Sequence, residues 1–211
     1  MLKRFSKYVC QSVAGMIGIS VYILADTFFI SFYSGADGLA VLNMILPVFG
    51  MMYAIGSMIG IGSATRYGIS KAKGEESDHY FTQSVSWTLL FSIPFVLTGI
   101  FVPDKFLALL GADAGLVELG KTYLRIILVV APLFMCNYSV TAFARNDHAT
   151  STVMAGSLAG SAFNIVFDYI FIFPVGLGFS GAALATAFCP AVTILTCSTH
   201  YLSKKCEIGF K

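Results

Sequence analysis

Six long stretches of this chain carry almost no charge, and nothing else restricts its fold so severely. They lie near 8–33, 39–69, 81–101, 118–143, 150–173 and 181–202. A hydrocarbon core of roughly 30 Å is crossed by about 20 apolar residues in a helix. Only a helix or a closed barrel satisfies every backbone polar group where water is absent. Barrel strands are shorter and alternate apolar with polar residues, and these runs do neither. The fold class expected is therefore all-α, a polytopic membrane protein with six transmembrane helices in one domain over residues 1–211.

The breaks between runs are polar or rich in glycine and proline. Ser34-Gly35-Ala36-Asp37-Gly38 reads as a turn, and Lys71 to Asp78 as a polar loop. Pro103-Asp104-Lys105 opens a short loop that ends near Gly111-Ala112-Asp113. Arg145-Asn146-Asp147-His148 is a further polar break, and Pro174 to Gly181 a Gly/Pro turn. Composition agrees, with 57% hydrophobic and 11% charged residues against roughly 25% charged in soluble domains. Mean hydropathy is +0.81. Pro47, Pro94 and Pro132 fall inside spans two, three and four, where they are expected to kink helices.

Several functions are excluded by what the chain lacks. A net charge of +2 gives no electrostatic footprint for nucleic acid. There is no GxxxxGK[ST] phosphate loop and no HExxH. No nucleophile–base pair is visible, so an enzyme is not expected, and neither is a cofactor. The five cysteines, Cys10, Cys136, Cys189, Cys197 and Cys206, have no CxxC spacing. They read as small buried hydrophobes rather than disulfides or zinc ligands. The basic start MLKRFSKY precedes an apolar run too long for a cleaved leader.

Basic residues set orientation in the bilayer. Lys3, Arg4, Lys7, Arg66, Lys71, Lys73, Arg145, Lys204, Lys205 and Lys211 fall on one side, ten of the thirteen. Both termini are accordingly expected in the cytoplasm of a cell whose plasma membrane holds the chain.

Of eleven acidic residues, only Asp26 and Asp168 lie well inside apolar spans. A carboxylate there costs about 2.5–3.5 kcal/mol on insertion scales, and so it faces protein or a wet cavity. Asn164 precedes Asp168 by four residues and shares its helical face. Thr186 returns down span six to an overlapping depth. Two carboxylates, an amide and a hydroxyl from three helices can bind a sodium ion or share protons. Thr186 bonding back to its own helix, and Asn164 as packing glue, are the structural alternatives. Asn137 in span four faces the same cavity or a neighbouring helix. Gly56-xxx-Gly60 and Gly156-xxx-Gly160 read as close helix contacts. Met44, Met51, Met52 and Met58 read as core packing.

The segments Ala25-Asp26-Thr27-Phe28-Phe29-Ile30 and Gly35-Ala36-Asp37-Gly38-Leu39-Ala40, with Pro47 beyond, resemble the start of MATE (multidrug and toxic compound extrusion) transporters. So do Phe163-Asn164-Ile165-Val166-Phe167-Asp168-Tyr169-Ile170-Phe171-Ile172-Phe173 and Gly181-Ala182-Ala183-Leu184-Ala185-Thr186, with Gly176-Leu177-Gly178 between. The resemblance runs over essentially the whole chain. The spacing Asn-x₃-Asp, with Thr eighteen residues later, is similar to the DinF-type branch and its MepA-like relatives. It implies one six-helix lobe of a twelve-span antiporter that exchanges H⁺ or Na⁺ for cationic, amphipathic compounds. By the same resemblance Asp26, Asn164, Asp168 and Thr186 match a cation site, and Asn137 a polar residue of the lobe cavity.

Six of the twelve implied spans are expected in this sequence, those of the amino-terminal lobe without the carboxy-terminal one. A second six-helix half or a homodimer is therefore the expected partner, besides membrane lipid and small-molecule substrate. The alternatives are a truncated, non-transporting remnant and half of a lipid-linked saccharide flippase. The flippase would favour basic residues deep in the spans, where none stands. Some family members bend their first helix at a proline, and span one here has none.

Overall fold

Helices in lipid satisfy their own backbone and pack through whatever small or polar residues they present to each other. Among the described residues seven form: α1 (Leu2–Ala72), α2 (His79–Phe101), α3 (Pro103–Leu109), α4 (Ala114–Val129), α5 (Ala131–Asn146), α6 (Thr150–Ile172) and α7 (Phe179–Tyr201). The structure is a computed structural model that describes residues 2–203 together with Cys206 and Ile208, with backbone alone at 2–5 and 7. The basic residues Lys204, Lys205 and Lys211 lie outside the described residues, as do the side chains of Lys3, Arg4 and Lys7.

The expected turn at residues 34–38 shrinks to one residue. Only Gly35 leaves helical geometry, at φ 61°, ψ −145°, a backbone region almost confined to glycine. It divides α1 into arms over residues 2–34 and 36–72. Among the described residues, Tyr8–Ala72, α2, α6 and α7 are long and apolar enough to cross a membrane. The bent pair of α4 and α5 qualifies when taken together.

That pair covers the single span expected over 118–143, which is divided into two helices. The chain turns by 44° between α4 and α5. Pro132, in the first turn of α5, has no N–H to continue the ladder, and its ring crowds the turn before it. Pro47 and Pro94 are carried inside α1 and α2, which continue as helix through them. The expected loop after Pro103 is helical. Proline at a first helical turn loses no hydrogen bond, and α3 starts on Pro103 itself. Asp113 then caps α4, its carboxylate accepting from the Leu116 amide at 2.9 Å.

The core has two parts. One holds Ile30, Val41, Ile45, Tyr123, Leu124, Met135, Ile172 and Phe179, among others. The other, nearer Ala72 and Tyr201, holds Tyr67, Phe81, Phe143, Val153 and Cys197. Large apolar side chains such as Leu24, Phe32, Met58, Trp87, Phe101 and Leu195 are exposed, as lipid contact requires. Of the four methionines expected in the core, Met52 is buried and Met44 packs against the core, while Met51 and Met58 are exposed. The cysteines are free, but only Cys197 is fully buried and Cys10 is exposed.

Glycines bring the helices together as their spacing predicts. A Cβ at Gly60 of α1 would lie 2.8 Å from the Ser139 amide nitrogen of α5, and one at Gly56 3.1 Å from Met135 Cα. A Cβ at Gly160 of α6 would lie 3.0 Å from the Cys189 carbonyl oxygen of α7, and one at Gly156 3.2 Å from that of Thr193.

Candidate functional site

The contact between α6 and α7 builds the site. Because Gly156 and Gly160 admit the α7 backbone, the α6 face one and two turns further on meets α7 as well. That face carries Asn164 and Asp168, both with 0% exposure. Opposite them stands Thr186, also buried. An amide's oxygen and nitrogen are assigned from their neighbours. In the orientation that satisfies both, Asn164 Nδ2 donates to Asp168 Oδ2 at 3.1 Å. Its Oδ1 then accepts from Thr186 Oγ1 and from the Thr186 backbone amide, each at 3.2 Å. The side chain of Thr186 is thus engaged across the helix pair.

The first arm of α1 adds Asp26, buried and facing Asp168 with the two carboxyl groups in hydrogen-bonding range. The four residues singled out in the sequence, Asp26, Asn164, Asp168 and Thr186, therefore form one cluster across three helices. Asn137 does not join its hydrogen bonds. Its Oδ1 is buried without a hydrogen-bond partner among the described residues, and its backbone carbonyl accepts from Thr141 at 2.8 Å.

Two phenols complete the surroundings. Tyr123 of α4 is fully buried beside the Thr186 hydroxyl, close to both aspartates. Tyr22 lies one turn before Asp26 on the same helix, within electrostatic reach of both aspartates. Sequence reasoning passed over both, because tyrosine is abundant in the chain. For Tyr22 a signal existed, its i, i+4 spacing to Asp26. Towards Gly35, Phe29 packs on Tyr169 and Phe173 with ring centroids 6.3 and 6.2 Å away, which joins α1 to the end of α6.

Chemically, the cluster is a buried group of oxygen donors. Asp26 Oδ1 and Asp168 Oδ1 are both buried with no hydrogen-bond partner among the described residues. Two facing carboxylates cannot both hold full charge in a dry site without a proton or cation between them. Hard cations take carboxylate, amide and hydroxyl oxygens, which is the donor set present.

Comparison with known proteins places the chain. The MatE family model matches residues 12–170. The multidrug export protein MepA of Staphylococcus saprophyticus is 31% identical over 201 residues, covering 92% of this chain and 44% of that protein. MepA of Staphylococcus aureus strain NCTC 8325 is 28% identical over 89% of this chain. An outward-facing multidrug-resistance MATE transporter of the MOP superfamily superposes with a TM-score of 0.86 at 26% identity, over 96% of this chain and 45% of that one. A MOP-superfamily transporter from Pyrococcus furiosus, described as having a binding pocket of reversed polarity, gives 0.84 at 27% identity. The chain spans less than half the length of these relatives. It is a membrane protein of a transporter family, not of an enzyme family. With residues 12–170 matched by the family model and the helical arrangement shared with solved transporters, the chain belongs to the MatE family of multidrug efflux transporters.

Proposed function

We propose that this chain forms the amino-terminal half of a cation-coupled antiporter that exports cationic or amphipathic compounds, with Asp26, Asn164, Asp168 and Thr186 as its coupling site. One observation carries the reading. Two buried carboxyl groups on different helices face each other, and each keeps an oxygen without a partner. A proton or Na⁺ taken up there draws α1 and α6 together. Its release leaves two like charges in contact, which favours a rearranged lobe and a substrate-competent cavity. The reading counts six crossings, two of them from the arms of α1 and one from α4 with α5. The other half of the substrate path comes from a second six-helix half or a second copy.

The test is efflux of a fluorescent cation from proteoliposomes under an imposed proton or sodium gradient. This chain is assayed alone and together with a carboxy-terminal half. Gradient-dependent efflux only in the presence of the second half is the expected result. Robust efflux by a demonstrably monomeric preparation overturns the half-transporter reading, and efflux indifferent to both gradients overturns the coupling.

The plasma-membrane orientation has its own measurement. With the native cysteines replaced by serine, a single cysteine at Asp37 or Leu177, both exposed near the ends of helices, is labelled from outside intact cells. One at Glu75, between α1 and α2, is not. The reverse pattern overturns the placement of both termini in the cytoplasm.

A further inference from the structure

At the opposite end of the bundle from Gly35, three metal-ligating side chains converge that the transport reading does not use. Asp147 caps α5, His200 stands in the last turn of α7, and Cys206 follows α7. One donor atom of each lies within 4.8 Å of the other two. His200 Nε2 is 2.8 Å from Asp147 Oδ2, and their side chains are 11% and 3% exposed. Lys71 approaches the other carboxylate oxygen, Oδ1, at 4.0 Å, and so leaves Oδ2 turned to the imidazole. Cys206 is held in place from both sides. Its backbone amide donates to the Ser203 carbonyl at 3.1 Å, and Ile208 beyond it is buried in the core around Tyr67 and Phe143.

We propose that Asp147, His200 and Cys206 form a binding site for Zn²⁺ or a closely similar divalent transition metal, one that fastens the segment after α7 to the α5–α6 turn. An Asp–His pair by itself needs no thiol. A half-buried thiol brought to the same point makes a set of one sulfur, one nitrogen and one oxygen. That mixture suits borderline metals and disfavours Mg²⁺ and Ca²⁺, which take oxygen alone. Zinc ligands stand about 2.0–2.3 Å from the metal, so donors must lie within a few ångströms of each other, as these do. Three protein ligands leave a fourth position for water. On binding, the imidazole gives up its hydrogen bond to Asp147: the Nε2 proton is lost to solvent and Nδ1 carries the remaining ring proton, so Nε2 presents its lone pair. The Cys206 thiol releases its proton to solvent and binds as thiolate.

The probe is Co²⁺, titrated into the purified full chain in detergent and then displaced with Zn²⁺. A thiolate-to-cobalt charge-transfer band that saturates at a single metal per chain is the expected result. Cys206→Ser removes the band, and His200→Ala weakens binding at least about tenfold. Cys206→Ser leaves the Asp147–His200 pair in place, so the test does not depend on a variant that disturbs folding. Absence of the band in the parent chain overturns the proposal. So does a band that survives Cys206→Ser, which would assign the thiolate to another of the five cysteines.

Discussion

Asp168→Asn, made in a complete transporter carrying this lobe, is expected to reduce gradient-driven efflux to the rate of protein-free liposomes. The substitution keeps the shape of the side chain and one oxygen facing Asp26. It removes the ability to exchange a proton, and half of the negative charge that attracts a cation to the pair. Asn164 is in hydrogen-bond contact with Asp168 Oδ2, and an amide there still finds a partner by turning over. Insertion and folding are therefore preserved, since an amide is no harder to bury than an ionised acid. Asp26→Asn is expected to act in the same direction. The measurement is efflux of a fluorescent cation under proton and sodium gradients, each variant beside the parent. If both variants pump at the parental rate under both gradients, the aspartates are structural and the coupling site lies elsewhere.

Gly60→Leu carries the largest expected loss of stability. The new Cβ would meet the Ser139 amide nitrogen at 2.8 Å and its Cα at 2.9 Å, and backbone has no rotamer to change. The two helices must part, and their separation strains more than one contact. Ser139 is bonded to Ser84 at 3.0 Å and to Thr88 at 3.1 Å, so moving α5 also opens a buried hydroxyl cluster against α2. Overpacking of this kind costs about 1–3 kcal/mol, and a lost buried hydrogen bond about 1 more. Gly62→Leu is the control. It lies two residues on, exposed, with nothing within 4 Å of its Cβ position, and is expected to be close to neutral. Thermal unfolding in detergent, followed by helicity, compares them. Equal midpoints would refute the packing argument.

The positions of the long helices were legible because insolubility in water is a property of whole segments. Twenty apolar residues say the same thing twenty times, so the ends of α2, α6 and α7 fall within two residues of where hydropathy puts them. The meeting of Asp26, Asn164, Asp168 and Thr186 was legible for a related reason. A polar group in an apolar span has few places to go, and a shared depth restricts them further. Other features turn on single residues whose effect depends on neighbours. Pro132 breaks its helix while Pro47 and Pro94 do not, and nothing in their local sequence separates them. Ser34 to Gly38 carries enough turn formers for a loop, yet only Gly35 departs from the helix. Tyr123 could not be placed beside Thr186 without the bend between α4 and α5. Nor could Asp147, His200 and Cys206 be joined by a search for ligand spacing, because the chain closes that cluster only through its tertiary fold.

The bend between α4 and α5 also has a bearing on how the chain enters the bilayer during synthesis. Each helix has 16 residues, a rise of about 24 Å against a hydrocarbon thickness of roughly 30 Å. Neither can cross alone, and α4 carries Glu118, Lys121 and Arg125 besides. Its own sequence gives the insertion machinery no reason to release it sideways into lipid. Taken together, the two are long and apolar enough to cross, a length that is complete only once Asn146 has emerged. They then rely on surfaces already in place: Val41 of α1, which fills the space over Gly120, and Gly99 of α2, whose missing side chain makes room for Leu128. The arms of α1 and helix α2 thus serve as the mould in which the broken crossing is set.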